Sequence, residues 1–136
     1  MGEITFPPIT NLKFTVHGQP IVKKNNQKVV TRGGKTFKVD TPAYTRWRNS
    51  AYFQIAQALG KPEPIPVAIN LRVHFYMETR TATDISNLLE GIQDVLVTSR
   101  ILADDNYMIV AGLDGTRAYY DKNNPRMEVE ITPIEV

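Results

Sequence analysis

A mixed α+β fold in one small domain is what the sequence predicts, with a sheet of about four to six strands, a basic β-hairpin arm and two main helices packed on the sheet. Three observations lead there. Residues 69–77 alternate strictly, with Ile69, Leu71, Val73, Phe75 and Met77 on one face and Asn70, Arg72, His74 and Tyr76 on the other, as a half-buried strand requires. Two stretches, 42–59 and 85–97, repeat apolar residues at helical spacing. The 136-residue length is close to one ordinary domain of about 100–150 residues, so residues 1–136 are read as a single unit.

Taken in order, residues 12–16 read as a strand with Leu12, Phe14 and Val16 on one face. Lys28-Val29-Val30 and Thr36-Phe37-Lys38-Val39 flank Arg32-Gly33-Gly34-Lys35, the pattern of a basic hairpin with a glycine turn. The first helix is expected from Pro42 to Leu59, with Thr41 as N-cap, Pro42 at the first helical position and Gly60 just past the end. Its apolar stripe is Tyr44, Trp47, Ala51, Ile55 and Ala58. Residues 61–66, rich in proline, form a stiff connector to the 69–77 strand. The second helix buries Leu88, Leu89, Ile92, Val95 and Leu96. A further strand is expected near 107–113, with Met108 and Val110 on one face, and a last one at 127–131 through Met127, Val129 and Ile131.

Composition excludes several chemistries. With no cysteine, disulfide scaffolds, zinc-thiolate centres and cysteine nucleophiles are ruled out. The apolar runs are far short of the roughly 20 residues needed to span a bilayer, and the first residues lack the charged start and apolar core of a signal peptide, so no membrane partner and a cytoplasmic location are expected. The net charge of +2 conceals an asymmetry. Residues 1–60 carry nine basic and two acidic side chains, whereas residues 61–136 carry seven basic and twelve acidic ones. A basic half joined to an acidic half suits a protein that grips a polyanion with one part and metal cations with the other. Two solvated faces would give the same counts.

The densest chemistry lies between Asp84 and Asp105. Asp84 stands at the mouth of the second helix, Glu90 and Asp94 lie four apart along it, and Asp104-Asp105-Asn106 enters the next strand. Carboxylates converging from a helix start and a loop would give a hard cation such as Mg²⁺ its oxygen ligands, with room left for water and phosphate. That convergence requires the chain to bring Asp104 and Asp105 back along a helix about 20 Å long, which a helix–loop–strand return would allow. The same residues also fit plain roles: Asp84 or Ser86 as a helix cap, Asp104-Asp105-Asn106 as a solvated turn. Elsewhere the signals are thin. His17 and His74 fall on polar strand faces outside any HxxxH or HExxH spacing, and no GxSxG or GxxxxGK[ST] pattern occurs. Tyr44 and Trp47, at helical spacing, read as core.

The arrangement Asp84-x-Ser86-Asn87-Leu88, then Asp94, then Asp104-Asp105, resembles the RusA family of Holliday-junction resolvases. Upstream, Pro20, Asn25-Asn26 and Ala43-Tyr44 with Arg48 resemble the family's opening and first helix more weakly. The resemblance implies a small, homodimeric, Mg²⁺- or Mn²⁺-dependent endonuclease of phage and prophage type, acting in DNA recombination and repair, with no organic cofactor. It implies paired symmetric cuts in four-way DNA that leave 5′-phosphate and 3′-hydroxyl ends. Carried over by residue, it makes Asp84 and Asp105 metal ligands, Glu90 a third ligand, Asp104 an assisting or structural group, and Ser86 and Asn87 supports of the site. Lys23, Lys24, Lys28, Arg32, Lys35 and Lys38 would meet phosphates, a contact that sets affinity and not sequence.

Two positions depart from the family pattern. Ser86 stands where its second aspartate is usual, and Glu90 where it has a lysine. Residues 86 and 90 are one turn apart on one helix face, so Glu90 could return the carboxylate that Ser86 removes. The lost lysine takes away a cation from the phosphate. A junction-binding protein that cuts weakly or not at all is the alternative reading, and a structural domain without a nucleic-acid role is a third.

Overall fold

The central element is strand β4 (Ile69–Met77), whose expected alternation is realised: Ile69, Leu71, Val73 and Phe75 are all buried. In the computed structural model, which describes residues 11–22 and 27–134, β4 is paired along both edges. On one side runs antiparallel β7 (Arg126–Pro133), which in turn pairs with antiparallel β1 (Leu12–His17). On the other side two short strands, β5 (Val110–Gly112) and β6 (Arg117–Tyr120), lie parallel to opposite ends of β4. The result is a mixed five-stranded sheet, and β2 (Gln27–Arg32) with β3 (Lys35–Asp40) forms a separate two-stranded ribbon. A small α+β domain with two helices follows, as the alternation patterns predict.

Both helices cover one face of the sheet, where Phe14, Val16, Leu71, Phe75, Met127, Val129 and Ile131 meet the helical residues in a single core. Helix α1 (Pro42–Leu59) has the predicted limits because its ends are chemically marked. Thr41 Oγ1 accepts from the Tyr44 N–H, and Gly60, at φ +68°, donates its N–H to the Ala56 carbonyl. Tyr44, Trp47, Ala51 and Ile55 point inward as expected, but Ala58 faces solvent and Leu59 packs against the core instead. At the end of the helix the i+4 position, not i+3, still overlies the core. The side chain of Gln54 reaches the end of β1, accepting from the His17 N–H and donating to the His17 carbonyl.

Helix α2 (Ile85–Thr98) buries the five predicted residues and Gly91, and it crosses from the C-terminal end of β4 to the N-terminal end of parallel β5. The expected strand at 107–113 is corrected to a turn over 107–109 followed by the three residues of β5. Asn106 is the cause. Its Oδ1 accepts from the Met108 N–H and its carbonyl from the N–H groups of Ile109 and Val110, offering the backbone a turn in place of a ladder. Met108 is therefore 62% exposed, and Ile109 is the residue that goes inward.

Between β5 and β6 the edge of the sheet is carried by side chains. Asn70 accepts from the Asp114 N–H and donates to the Asp114 carbonyl, while Thr116 Oγ1 accepts from the Val73 N–H and donates to the Leu71 carbonyl. These four bonds satisfy backbone groups that would otherwise lack a strand neighbour. Nothing in the alternation of residues 107–120 marks such a splice, and β6 was not foreseen.

Candidate functional site

At the start of α2, Asp84 occupies the N-cap position with extended backbone (φ −70°, ψ 128°). Its carbonyl accepts from Asn87 and Leu88, but its side chain makes no capping bond. A carboxylate at a helix N-terminus is stabilised by the helix dipole. Burial of Leu88, Leu89 and Ile92 fixes which way the helix faces and leaves Asp84, Ser86 and Glu90 exposed, with Asn87 half-buried. Asp94, one turn further, sits close enough to the buried Tyr44 to act on its phenol. Burial, then the Asp94 and Asp40 carboxylates, push that phenol well above the ordinary tyrosine value.

The second acidic group lies at the far end of the same helix. A parallel bridge between Ile65 and Leu102, with Ile65 donating to the Ile101 carbonyl and Ala103 to the Ile65 carbonyl, ties the chain after α2 to the segment before β4. The Ile69 N–H then bonds the Ile109 carbonyl. Asp104 and Asp105, both exposed, are thereby held beside the beginning of β4, with Asp104 Oδ1 accepting from the Asp105 N–H at 2.7 Å. The expected return of this loop to Asp84 does not take place. Asp84 and the Asp104–Asp105 pair are separated by the 14 residues of α2, about 20 Å of helix. Among the described residues no three acidic or histidine side chains are grouped closely enough to share an ion.

Of the expected phosphate contacts, Lys23 and Lys24 fall outside the described residues. The others lie on the ribbon. Arg32 and Lys35 face each other across the glycine turn, Lys38 is opposite Val29, and Lys28 holds the register position opposite Val39. Gly33 and Gly34 both have positive φ, +59° and +78°, as a two-residue turn in a twisted hairpin demands. Asp40, at the base of the ribbon, is bonded by Arg48 of α1 at 3.1 Å, which joins the arm to the core.

Sequence reasoning passed over Arg80. It is the single basic residue between Met77 and Ser99, and its guanidinium lies over the ring of Tyr120, 4.2 Å from the centroid. Tyr120 pairs with Met77 at the C-terminal end of β4, the end at which α2 begins. Its isolation among acidic neighbours was the available signal. On the open face of the sheet, Tyr76 lies between Tyr119, stacked at 5.1 Å, and the Arg126 guanidinium at 3.7 Å. Arg126 also donates to Asp121 and Glu128. Burial alone would lower the pKa of Arg126, but those two carboxylates outweigh it and raise the value. Arg126 thus ties β7 to Tyr76 of β4 and to the turn at Asp121.

The family profile of endodeoxyribonuclease RusA matches residues 18–132 of the 136-residue chain. The chain belongs to the RusA family. Its fold and its acidic helix therefore belong to an endodeoxyribonuclease family, that of the Holliday-junction resolvases. The match spans the ribbon, both helices, β4 to β6 and β7 up to Thr132, and begins just after β1. No curated protein matches the chain. No helix among the described residues is long and apolar enough to cross a membrane.

Proposed function

We propose that this RusA-family chain cuts four-way DNA junctions by Mg²⁺- or Mn²⁺-dependent hydrolysis, and that the metal centre is completed between two copies of the chain. The observation behind the second clause is the separation of Asp84 from Asp104 and Asp105 by the length of α2. If these carboxylates serve one ion, they come from different subunits. A two-fold dimer that sets the α2 start of one copy against the 104–105 turn of the other gives two equivalent composite sites, matched to the symmetry of a junction. The donor chemistry fits a hard cation, since Asp84, Glu90 and Asp105 are exposed carboxylates. Among the described residues, no three such side chains are grouped closely enough to share an ion.

In such a site Asp84 and Asp105 would hold the cation, with Glu90 in place of the aspartate missing at 86. The ion, when bound, supplies positive charge to the phosphate and a more acidic water. The protein's own part is to orient. Leu88, Leu89 and Ile92 keep the acidic face of α2 outward, and the exposed ribbon with Arg32, Lys35 and Lys38 grips phosphate. Arg80, seated on Tyr120 in the β4–α2 loop, is the cation nearest in sequence to Asp84, now that Glu90 of α2 stands where the family has a lysine.

The experiment is cleavage of an end-labelled synthetic four-way junction in Mg²⁺, beside a linear duplex of the same sequence and the Asp84→Asn protein. Paired nicks in the junction alone, reduced at least a hundredfold in the variant while binding persists, are expected. An Asp84→Asn protein that still cuts would overturn the assignment. Ser86 and Glu90 favour a second reading, a chain that binds junctions without cutting. Binding with no product in either Mg²⁺ or Mn²⁺ would establish it.

A further inference from the structure

The β2–β3 ribbon is separate from the main sheet, and among its described residues Val29 on one face and Phe37 and Val39 on the other are exposed. Cross-strand partners share a face and successive pairs alternate, so the register sorts its residues. Val30 pairs with Phe37 and Arg32 with Lys35 on one face, which Val39 shares; Val29 pairs with Lys38 and Thr31 with Thr36 on the other. The first face thus runs from Val39 through Val30 and Phe37 to a pair of cations at the tip. Phe37 is the single aromatic residue between Gln27 and Asp40, and it remains 41% exposed although it lies mid-ribbon.

Exposure alone does not single out Phe37, since Phe53 and Tyr107 are more exposed; its place beside Val30 and Val39, with two cations at the tip of the same face, does. A second copy of the ribbon is a poor occupant. Residues 27–40 hold Lys28, Arg32, Lys35 and Lys38 against one acid, Asp40, and that acid is engaged by Arg48. Two such ribbons face to face would bring like charges together, whereas a polyanion meets the cations Arg32 and Lys35 at the tip beyond the apolar stretch. Among polyanions, duplex DNA with closed base stacks has little use for the ring, but a branch point exposes the faces of its terminal base pairs. Apolar side chains carried on basic elements enter such openings and hold them apart.

We propose that Phe37, backed by Val30, is a wedge that enters the opened base stack at the centre of branched DNA while Arg32 and Lys35 hold the flanking phosphates. This rests on the junction-binding reading above and adds a stacking contact to it.

The test is binding with divalent metal withheld, so that cutting plays no part. Junctions carry 2-aminopurine at the branch point, and a linear duplex carries it at the matching base. Phe37→Thr removes the ring but keeps a good strand former. It is expected to lower junction affinity about tenfold and to abolish the several-fold rise in 2-aminopurine fluorescence seen with the unaltered protein, leaving linear-duplex affinity unchanged. Phe37→Trp is expected to retain the rise, as is Val29→Ala on the opposite face. A Phe37→Thr protein that still produces the full rise would overturn the wedge. So would one that loses junction and duplex affinity equally, since that marks damage to the ribbon as a whole. If the unaltered protein itself ignores junctions, the functional reading fails and the wedge with it.

Discussion

Tyr44 shows how a single side chain can work against the fold that buries it. Its ring is fully enclosed, its hydroxyl has no hydrogen-bond partner among the described residues, and the nearby Asp94 and Asp40 disfavour its ionisation. A phenol whose pKa is raised on folding costs no stability by ionisation below its unfolded value of about 10, and it destabilises the fold as pH climbs past that value. The loss approaches about 1.4 kcal/mol per pH unit until the folded value is reached. Tyr44→Phe is therefore expected to be neutral or stabilising by about 1 kcal/mol at pH 7, because an unpaired buried hydroxyl is removed. Urea unfolding at pH 8 and pH 11 should show a shallower alkaline decline in the variant; equal declines would refute the account. Sequence alone had placed Tyr44 and Trp47 in the core. It could not reveal their stranded polar atoms, which depend on which elements stack above α1.

For the elements, what was legible tracked the presence of local chemical markers. Thr41, Pro42 and Gly60 delimit α1 to the residue, and β4 declares itself by strict alternation. Asn106 misled because an amide side chain can redirect the backbone, and the apolar spacing of Met108 and Val110 is silent about it. β6 was invisible because its four residues are all exposed, and the sheet edge just before it is held by the side chains of Asn70 and Thr116 instead of by a strand. The ribbon was legible from its glycine pair, and its charge gives a prediction. Arg32→Gln with Lys35→Gln should lower DNA affinity alike for all sequences and reduce the slope of log affinity against log salt by about two. Fluorescence anisotropy from 50 to 200 mM salt measures this, and an unchanged slope would remove the ribbon from the DNA contact.

At the scale of the whole molecule, the acidic cluster was legible as a pattern and misread as a place. Spacing along the chain brings Asp84 and Asp105 into one motif, while the crossover from β4 through α2 to β5 sends them to opposite ends of the sheet. No single-chain periodicity carries that distinction. A composite centre makes an unusual forecast for mixed subunits. Asp84→Asn and Asp105→Asn proteins, each inactive alone, should regain cutting when unfolded together and refolded, because a mixed dimer keeps one site with both aspartates. That site nicks one strand of the junction instead of two. No recovery in a mixture shown to contain mixed dimers would place the metal ligands within one chain.

The spliced edge of the sheet bears on how copies of this chain tolerate one another. Exposed strand edges are where proteins join into unintended ribbons and fibrils. Here one edge is cut into segments of three and four residues with side chains filling the gap. The other edge, β1, is six residues long, carries Lys13, and has its last backbone groups taken by Gln54. Among the described residues, the β5–β6 border is broken into short segments and the β1 border is capped at its His17 end. Crowded copies are thereby discouraged from zipping their sheets together, and any specific pairing is left to helix ends and loops.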